Sequence, residues 1–389
     1  LNVLISAHNI IGIGSALRAY SLARWLVKAG HAVTILASRN EPGLNRLELV
    51  QDGVRLIQMP DIFRRRTRNG GLSPMDLVGR LGFVLRERFD IVHAFEPRPC
   101  ATFPALVARR RFGTPFVADW CDLWGLDGIA ALRGPLGRNT LGRVDDWLER
   151  STRVSADAVV GINRYLAERA QSLGVPANRV RLVGVGANHD LIQPLSKAIA
   201  REKLNLPPSA QIVVQSGFSI YDVALLAETF ICLARHNPKV LLLVSGGELP
   251  HFQETMARAG VLSQVKHLGF VPFDALNNVL AAGDVMIVPY TNRLINIARL
   301  PNRLGDYLAA GRPTVTNLTG ELGRIVSEEG VGAIAPETPA EFAAVIQELL
   351  DDPDRCEALG KRARHLAETK YSWREWAKVL EGFYRELLG

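Results

Sequence analysis

Short apolar, β-branched runs alternate with amphipathic helical stretches along the whole chain of 389 residues, and midway the alternation starts again. A chain with this rhythm buries its strands on both faces. It therefore folds as parallel sheets flanked by helices. The first series has strand-like runs at 1–6, 32–37, 54–59, 90–95, 115–118, 158–161 and 180–183. The second has them at 212–215, 240–245, 265–268 and 285–288. The spacing predicts an α/β protein of two Rossmann-like, doubly wound domains facing each other across a cleft, 1–194 and 195–371. The tail from Pro339 reads as three helices. The last, 372–389 with Trp373, Trp376, Leu380, Phe383 and Tyr384 on one face, is expected to pack back on the first domain.

Composition narrows the function classes. Hydrophobic content of 48% and charged content of 22% are those of a water-soluble chain, and no run reaches the roughly 18 uncharged apolar residues that a membrane span needs. The opening L-N-V-L-I-S reads as a strand rather than a signal peptide. Cys100, Cys121, Cys232 and Cys356 lack metal-ligand spacing, so free thiols and a cytoplasmic location are expected. The net charge of +7 comes from the first half, notably Arg64, Arg65, Arg66, Arg68, Arg109, Arg110 and Arg111. Such clusters suit phosphates or an anionic membrane surface, here the inner face, and equally suit a solvated face. Phe63 beside the arginines, with Leu77, Leu81, Phe83, Val84 and Leu85 behind it, reads either as a membrane rest or as core. Nucleic acid is not an expected partner.

Candidate site residues gather at strand ends, where open α/β sheets bind ligands. The loop after the first run carries Gly12 and Gly14. The run at 90–95 ends in H-A-F-E-P-R-P, with His93, Glu96 and Arg98, and that at 115–118 ends in D-W-C-D-L-W-G, with Asp119 and Asp122. A core histidine and a helix cap are the plain alternatives for His93 and Asp122. In the second half, Gly217 follows one run, Gly246 and Gly247 another, and Phe270 and Val271 a third. The densest stretch is V-P-Y-T-N-R-L-I-N-I-A-R-L-P-N-R-L-G-D-Y-L-A-A-G-R-P-T-V, from Val288 to Val315. It leaves a strand, crosses a loop with Arg293 and Arg299, and enters a helix at Pro301 and Asn302, with Arg303 and Asp306 in its first turns. Free backbone N–H groups at a helix start suit a diphosphate, and an acid one turn inside suits a ribose. The triplet Asp352-Pro353-Asp354 resembles a metal-nucleotide site, but Asp352 as the cap of a helix opening at Pro353 explains it. No metal site is assigned.

Taken together, G-I-G-S-A-L-R, D-I-V-H-A, A-D-A-V-V-G-I-N, V-K-H-L-G-F-V-P, A-A-G-D-V-M-I-V-P-Y, P-N-R-L-G-D-Y-L-A-A-G-R-P-T-V and Y-S-W-R-E-W resemble the family-four glycosyltransferases of the GT-B fold over essentially the whole chain. The resemblance implies an amino-terminal acceptor domain and a carboxy-terminal donor domain. It implies metal-independent transfer of a hexose from a nucleoside diphosphate sugar, UDP-sugar before GDP-sugar, to an acceptor hydroxyl of a glycan, lipid-linked sugar or small molecule, with retention. No cofactor is expected. Asp306 matches the second acid of the family's E-x7-E motif, Arg303 a basic residue before it, Gly12 and Gly14 the glycine loop, and Gly217 the first donor-domain loop. Three departures stand out. Ala298 occupies the place of the first acid, F-S-I-Y-D-V replaces the usual Arg and Lys, and Cys121 replaces a histidine, leaving Asp122 as the acid match. Arg293, Arg299 and Arg303 with Asn302 are expected to replace the missing cations, and Asp119 or Asp122 to hold the acceptor. The alternatives are a silent nucleotide-sugar or glycan-binding relative, or a GT-B sugar-nucleotide epimerase or hydrolase.

Overall fold

Val3, Leu4 and Ile5 are without exposure, as a strand flanked on both sides and covered on both faces requires. The computed structural model describes residues 1–219, 221–247 and 250–389. It places β1 (Asn2–Ala7) inside an eight-stranded sheet with β2 (Ala32–Ala37), β3 (Leu47–Gln51), β4 (Val54–Gln58), β5 (Ile91–Phe95), β6 (Phe116–Trp120), β7 (Ala158–Gly161) and β8 (Val180–Leu182). The spatial order is β3-β4-β2-β1-β5-β6-β7-β8, parallel except for β3. That strand pairs antiparallel at the edge and is exposed along its length, so L-E-L-V-Q has no buried face for a sequence reading to detect. Leu4, Val92, Phe116 and Ala118 meet Ala101, Ala105 and Ala108 of the helix Pro99–Phe112 in the core.

A second sheet holds β9 (Gln211–Ser216), β10 (Val240–Ser245), β11 (Val265–His267), β12 (Val285–Val288), β13 (Thr314–Thr316) and β14 (Gly332–Ile334), all parallel, in the order β11-β10-β9-β12-β13-β14. Its core joins Val213, Val244 and Ile287 to Phe230 and Phe342. In each sheet the strand order reverses beside one strand. That point lies between β1 and β5 in the first and between β9 and β12 in the second. The reversal leaves a crevice outside the strand carboxyl ends, the usual ligand position in such sheets.

The chain divides into two compact units, one of 1–185, 298–300 and 373–389, the other of 186–297 and 301–372. The division thus falls at Val185–Gly186, before the Pro194 region expected from composition, because Ala187 is hydrogen-bonded to Tyr371 and Asn188 to Asp306 inside the second unit. The helix Trp373–Leu388 belongs to the first unit. Its buried face is Trp373, Ala377, Leu380, Phe383 and Tyr384, a helical spacing, and burying a residue such as Phe383 contributes roughly 1.5–3 kcal/mol. Among the described residues no helix is long and apolar enough to cross a membrane.

Candidate active site

In the first unit the loop after β1 turns through Gly12 and Gly14, with φ of +91° and +53°. A Cβ on Gly14 would stand 2.6 Å from the Asn9 amide, whereas none would meet anything at Gly12. Gly12 therefore leaves open space above the sheet, and Gly14 starts the helix Gly14–Lys28.

The residues after β5 and β6 form a buried electrostatic scaffold. Arg18, fully buried on that helix, donates to both Asp119 carboxylate oxygens at 3.4 and 3.3 Å and to the carbonyl of Val183 at 2.6 Å. The Cys121 thiol donates to Asp119 at 2.9 Å, and His93 Nε2 stands 3.4 Å from it. Burial alone would raise the Asp119 carboxyl, but Arg18, with His93 and Cys121, holds it at about 2. His93 has its other nitrogen 2.6 Å from the Tyr384 hydroxyl, and burial keeps its pKa below the ordinary value. Arg98 donates to Gly70 O at 2.6 Å and Asp145 at 2.8 Å, with its guanidinium 4.6 Å over the Trp124 ring.

His93, Asp119 and Arg98 all have partners in the interior and tie the ends of β5 and β6 to Arg18, Tyr384 and Asp145. The signal for this lay in Arg18 of G-I-G-S-A-L-R, a charge on the apolar face of a helix that only an internal acid can satisfy.

The loop D-W-C-D-L-W-G is held by two acids. Glu96, in the left-handed region at φ +70°, accepts from the backbone N–H of Cys121 and Asp122 and from Trp124 Nε1. Glu149 accepts from Trp120 Nε1 and from the N–H of Trp124 and Gly125, at 2.8 to 2.9 Å. Burial, then Asp122, pushes the Glu96 carboxyl well above its usual range. Glu149 comes from a distant helix, so no local motif announces it. Asp122 stays half-buried on this scaffold. Burial raises its carboxyl, and Arg299, which clusters with the first unit, opposes the rise.

In the second unit three strand ends converge through backbone. Gly217 N–H donates to Ser245 O at 2.6 Å and Gly246 N–H to Gly269 O at 2.7 Å. Gly217 and Gly246 have φ of +64° and +130°, and a Cβ on Gly246 would lie 3.1 Å from Gly217 Cα. Gly247 is exposed with open space around it, Phe270 is exposed and Val271 half-buried, while Glu248 lies outside the described residues. Asp222 ties the loop after β9 to that after β12, accepting from Thr291 Oγ1 at 2.7 Å and buried Asn296 Nδ2 at 2.9 Å. Neither Asp222 nor Asn296 was singled out from the sequence, since Asn and Asp are unremarkable in loops.

The short helix Arg303–Ala309 sits at this place. Arg303 Nη1 donates to Gly217 O at 2.8 Å. One turn on, Asp306 is buried, accepts from Asn188 Nδ2 at 3.3 Å, and has its carboxyl pushed by burial up to about 7. A Cβ on Gly305 would lie 2.2 Å from Gly186 O, so only glycine lets this helix sit so close to that backbone. Asn302 stands at the helix start, as expected, and makes no capping bond with its side chain. The three arginines expected here have different surroundings. Arg303 reaches the Gly217 loop, Arg299 belongs with Asp122 in the first unit, and Arg293 is exposed. Ala298, in the place of the first acid, is fully buried. Among the described residues no group of three or more His, Cys, Asp or Glu side chains is placed to hold a metal ion. Asp352 caps the helix Pro353–Thr369, accepting from Arg355 N at 2.9 Å.

Two Rossmann-like sheets, each with glycine loops at its switch point, make up the GT-B fold. Residues 14–186 match the family described as Glycosyl transferase 4-like domain, and residues 212–352 that described as Glycosyl transferases group 1. The chain is 30% identical over 325 residues to a D-inositol 3-phosphate glycosyltransferase of Thermobispora bispora, covering 77% of this chain and 71% of that one. It belongs to this family-four-like group of GT-B glycosyltransferases. Among solved structures, a sucrose-phosphate synthase from Thermosynechococcus elongatus superposes with a TM-score of 0.80 at 19% identity, over 100% of this chain and 99% of that one. Anabaena HepE in complex with UDP-glucose does so with a TM-score of 0.72 at 14% identity, over 98% and 99%.

Proposed function

We propose that the protein transfers a hexose from a UDP-sugar to an acceptor hydroxyl with retention and without a metal ion, the second unit taking the donor and the first the acceptor. The observation that carries this reading is the pairing, one turn apart on one helix, of Arg303 on the Gly217 loop with buried Asp306. The guanidinium suits a diphosphate at the loop and the carboxyl suits a ribose diol. Anabaena HepE, of the same fold, is in complex with UDP-glucose.

In this reading the bond from the sugar's anomeric carbon to the diphosphate oxygen breaks while the acceptor oxygen bonds to that carbon from the same face. The acceptor proton passes to the departing phosphate oxygen. Negative charge grows on the diphosphate, and a preorganised donor at such a position contributes about 3 kcal/mol. Arg303 would supply it. Asp122 would orient the acceptor hydroxyl, and an acceptor carried on a lipid is compatible with this role.

The departures at Ala298 and 218–223 favour, as the second reading, a binder without turnover. One assay separates the two: UDP release from UDP-hexoses with and without candidate acceptors, in the presence of EDTA. Acceptor-dependent release with an α-linked product supports transfer. Tight UDP-sugar binding without release under any acceptor overturns it, and loss of release in EDTA overturns metal independence.

A further inference from the structure

The helix Arg143–Ser155 is built inside out. Its buried stripe is Asp145, Leu148, Glu149, Thr152 and Arg153, mostly charged or polar and engaged with Arg98, Arg133 and the 120–125 loop. Its outer stripe, at helical spacing, is Val144, Trp147, Ser151 and Val154, with Trp147 63% exposed. An ordinary surface helix has the reverse pattern. The stretch before it continues the outer face with Leu132, Leu136 and Leu141, all exposed. Leu126, Arg143, Asp146, Trp147, Arg150 and Val154 line a shallow hollow of about 640 Å³.

The fully exposed charges on this face are all positive. Between residues 132 and 155 the exposed charged side chains are Arg138, Arg143 and Arg150, and the three acids are buried or half-buried. Arg150 pairs with Asp146 at 2.9 Å, while Arg138 and Arg143 have no carboxylate partner among the described residues. A second segment of the same character adjoins it. Ile62, Phe63, Arg64, Arg65, Arg66 and Leu72 are exposed, while Phe83 and Val84 behind them belong to the core. Buried Arg98 bonds to Gly70 O at one end and Asp145 at the other, so the two segments flank one side chain. They follow the carboxyl ends of β4 and β6, and thus share one end of the sheet.

We infer that this rim of the first unit, 132–154 with 62–72, docks on an anionic lipid bilayer. Leucine, valine and tryptophan enter the headgroup boundary, and the arginines meet lipid phosphates. Charge complementarity selects this occupant. A face of arginines among aliphatic side chains with no exposed acid matches a negatively charged apolar surface, and it repels a second copy of itself. The inference does not depend on which sugar is transferred.

The test is flotation of the full chain with phosphatidylglycerol-containing vesicles and with pure phosphatidylcholine vesicles at low salt. Binding is expected only to the former, weakening as salt rises. Arg138→Glu with Arg143→Glu, and separately Leu141→Glu with Trp147→Glu, should each lower bound protein at least about tenfold. Arg258→Glu, an exposed reversal in the second unit, should leave it unchanged. Unaltered circular dichroism and melting would show that the rim variants fold, as expected for exposed positions. No binding to anionic vesicles, equal binding to both vesicle types, or full binding by both rim variants overturns the inference. So does a dimer in solution that the rim substitutions dissociate.

Discussion

A buried carboxylate beside a guanidinium and one without it respond to pH in opposite directions. Asp119, held at about 2 by Arg18 against its burial, lies below the ordinary carboxyl value of about 4. Its contribution is complete above the unfolded value and is lost as pH falls from about 4 towards 2. Asp119→Asn leaves Arg18 charged and buried, so urea unfolding at neutral pH should show a loss of about 3–5 kcal/mol. Asp306, raised to about 7 by burial, retains in the native state a proton the unfolded chain has released. Stability therefore falls as pH rises from about 4 through 7, and Asp306→Asn should raise the melting temperature of the ligand-free protein above pH 7. If the ionised carboxylate receives the ribose hydroxyls, UDP affinity rises with pH through about 7. Calorimetric titration should show that slope in the native chain and a flat, weaker profile in Asp306→Asn. Unchanged affinity in Asp306→Ala would remove the residue from the site.

At the scale of elements, the helix Arg303–Ala309 works by how close it lies to backbone. Its glycine at 305 faces the Gly186 carbonyl at a distance no Cβ tolerates. Gly305→Ala should push the helix outward, displacing both Arg303 from Gly217 and Asp306 from Asn188. The expected outcome is at least about tenfold weaker UDP binding with a loss of about 1–3 kcal/mol in stability, typical of overpacking. The matching variant Gly82→Ala, where a Cβ meets nothing within 4 Å, should change neither. The helix Arg143–Ser155 shows how an element can mislead. Its strong periodicity announces a helix, but the apolar stripe faces out, because the loop beneath it needs carboxylates from Glu149 and Asp146.

At the scale of the whole molecule, each unit has its own sheet and core, and a nucleotide held by the second should stabilise that unit. Scanning calorimetry with rising UDP should move upward the transition that residues 186–297 and 301–372 govern, and hydrogen exchange should slow mainly there. Equal protection of both units would argue against donor binding confined to the second. The helix Trp373–Leu388 belongs to the opposite end of the chain from the sheet it packs with, yet its Tyr384 meets His93 of β5.

The sequence alone determined the class of fold, because strand and helix periodicities are local and the alternation restarts at β9. It also determined the glycine loops, since a switch-point loop needs positive φ, and that Arg303 and Asp306 stand one turn apart on one helix. It missed β3, an exposed edge strand with no apolar alternation, and β14 (Gly332–Ile334), three residues too few to show a pattern. Only the tertiary structure decided which charges are scaffold and which remain available. Arg18 lies 101 positions from Asp119 in the chain, and Glu149 lies 25 from Trp124. Whether a buried carboxylate sits beside a guanidinium or beside a neutral amide depends on what the fold brings to it. That contact separates Asp119 from Asp306, and no spacing in the sequence records it.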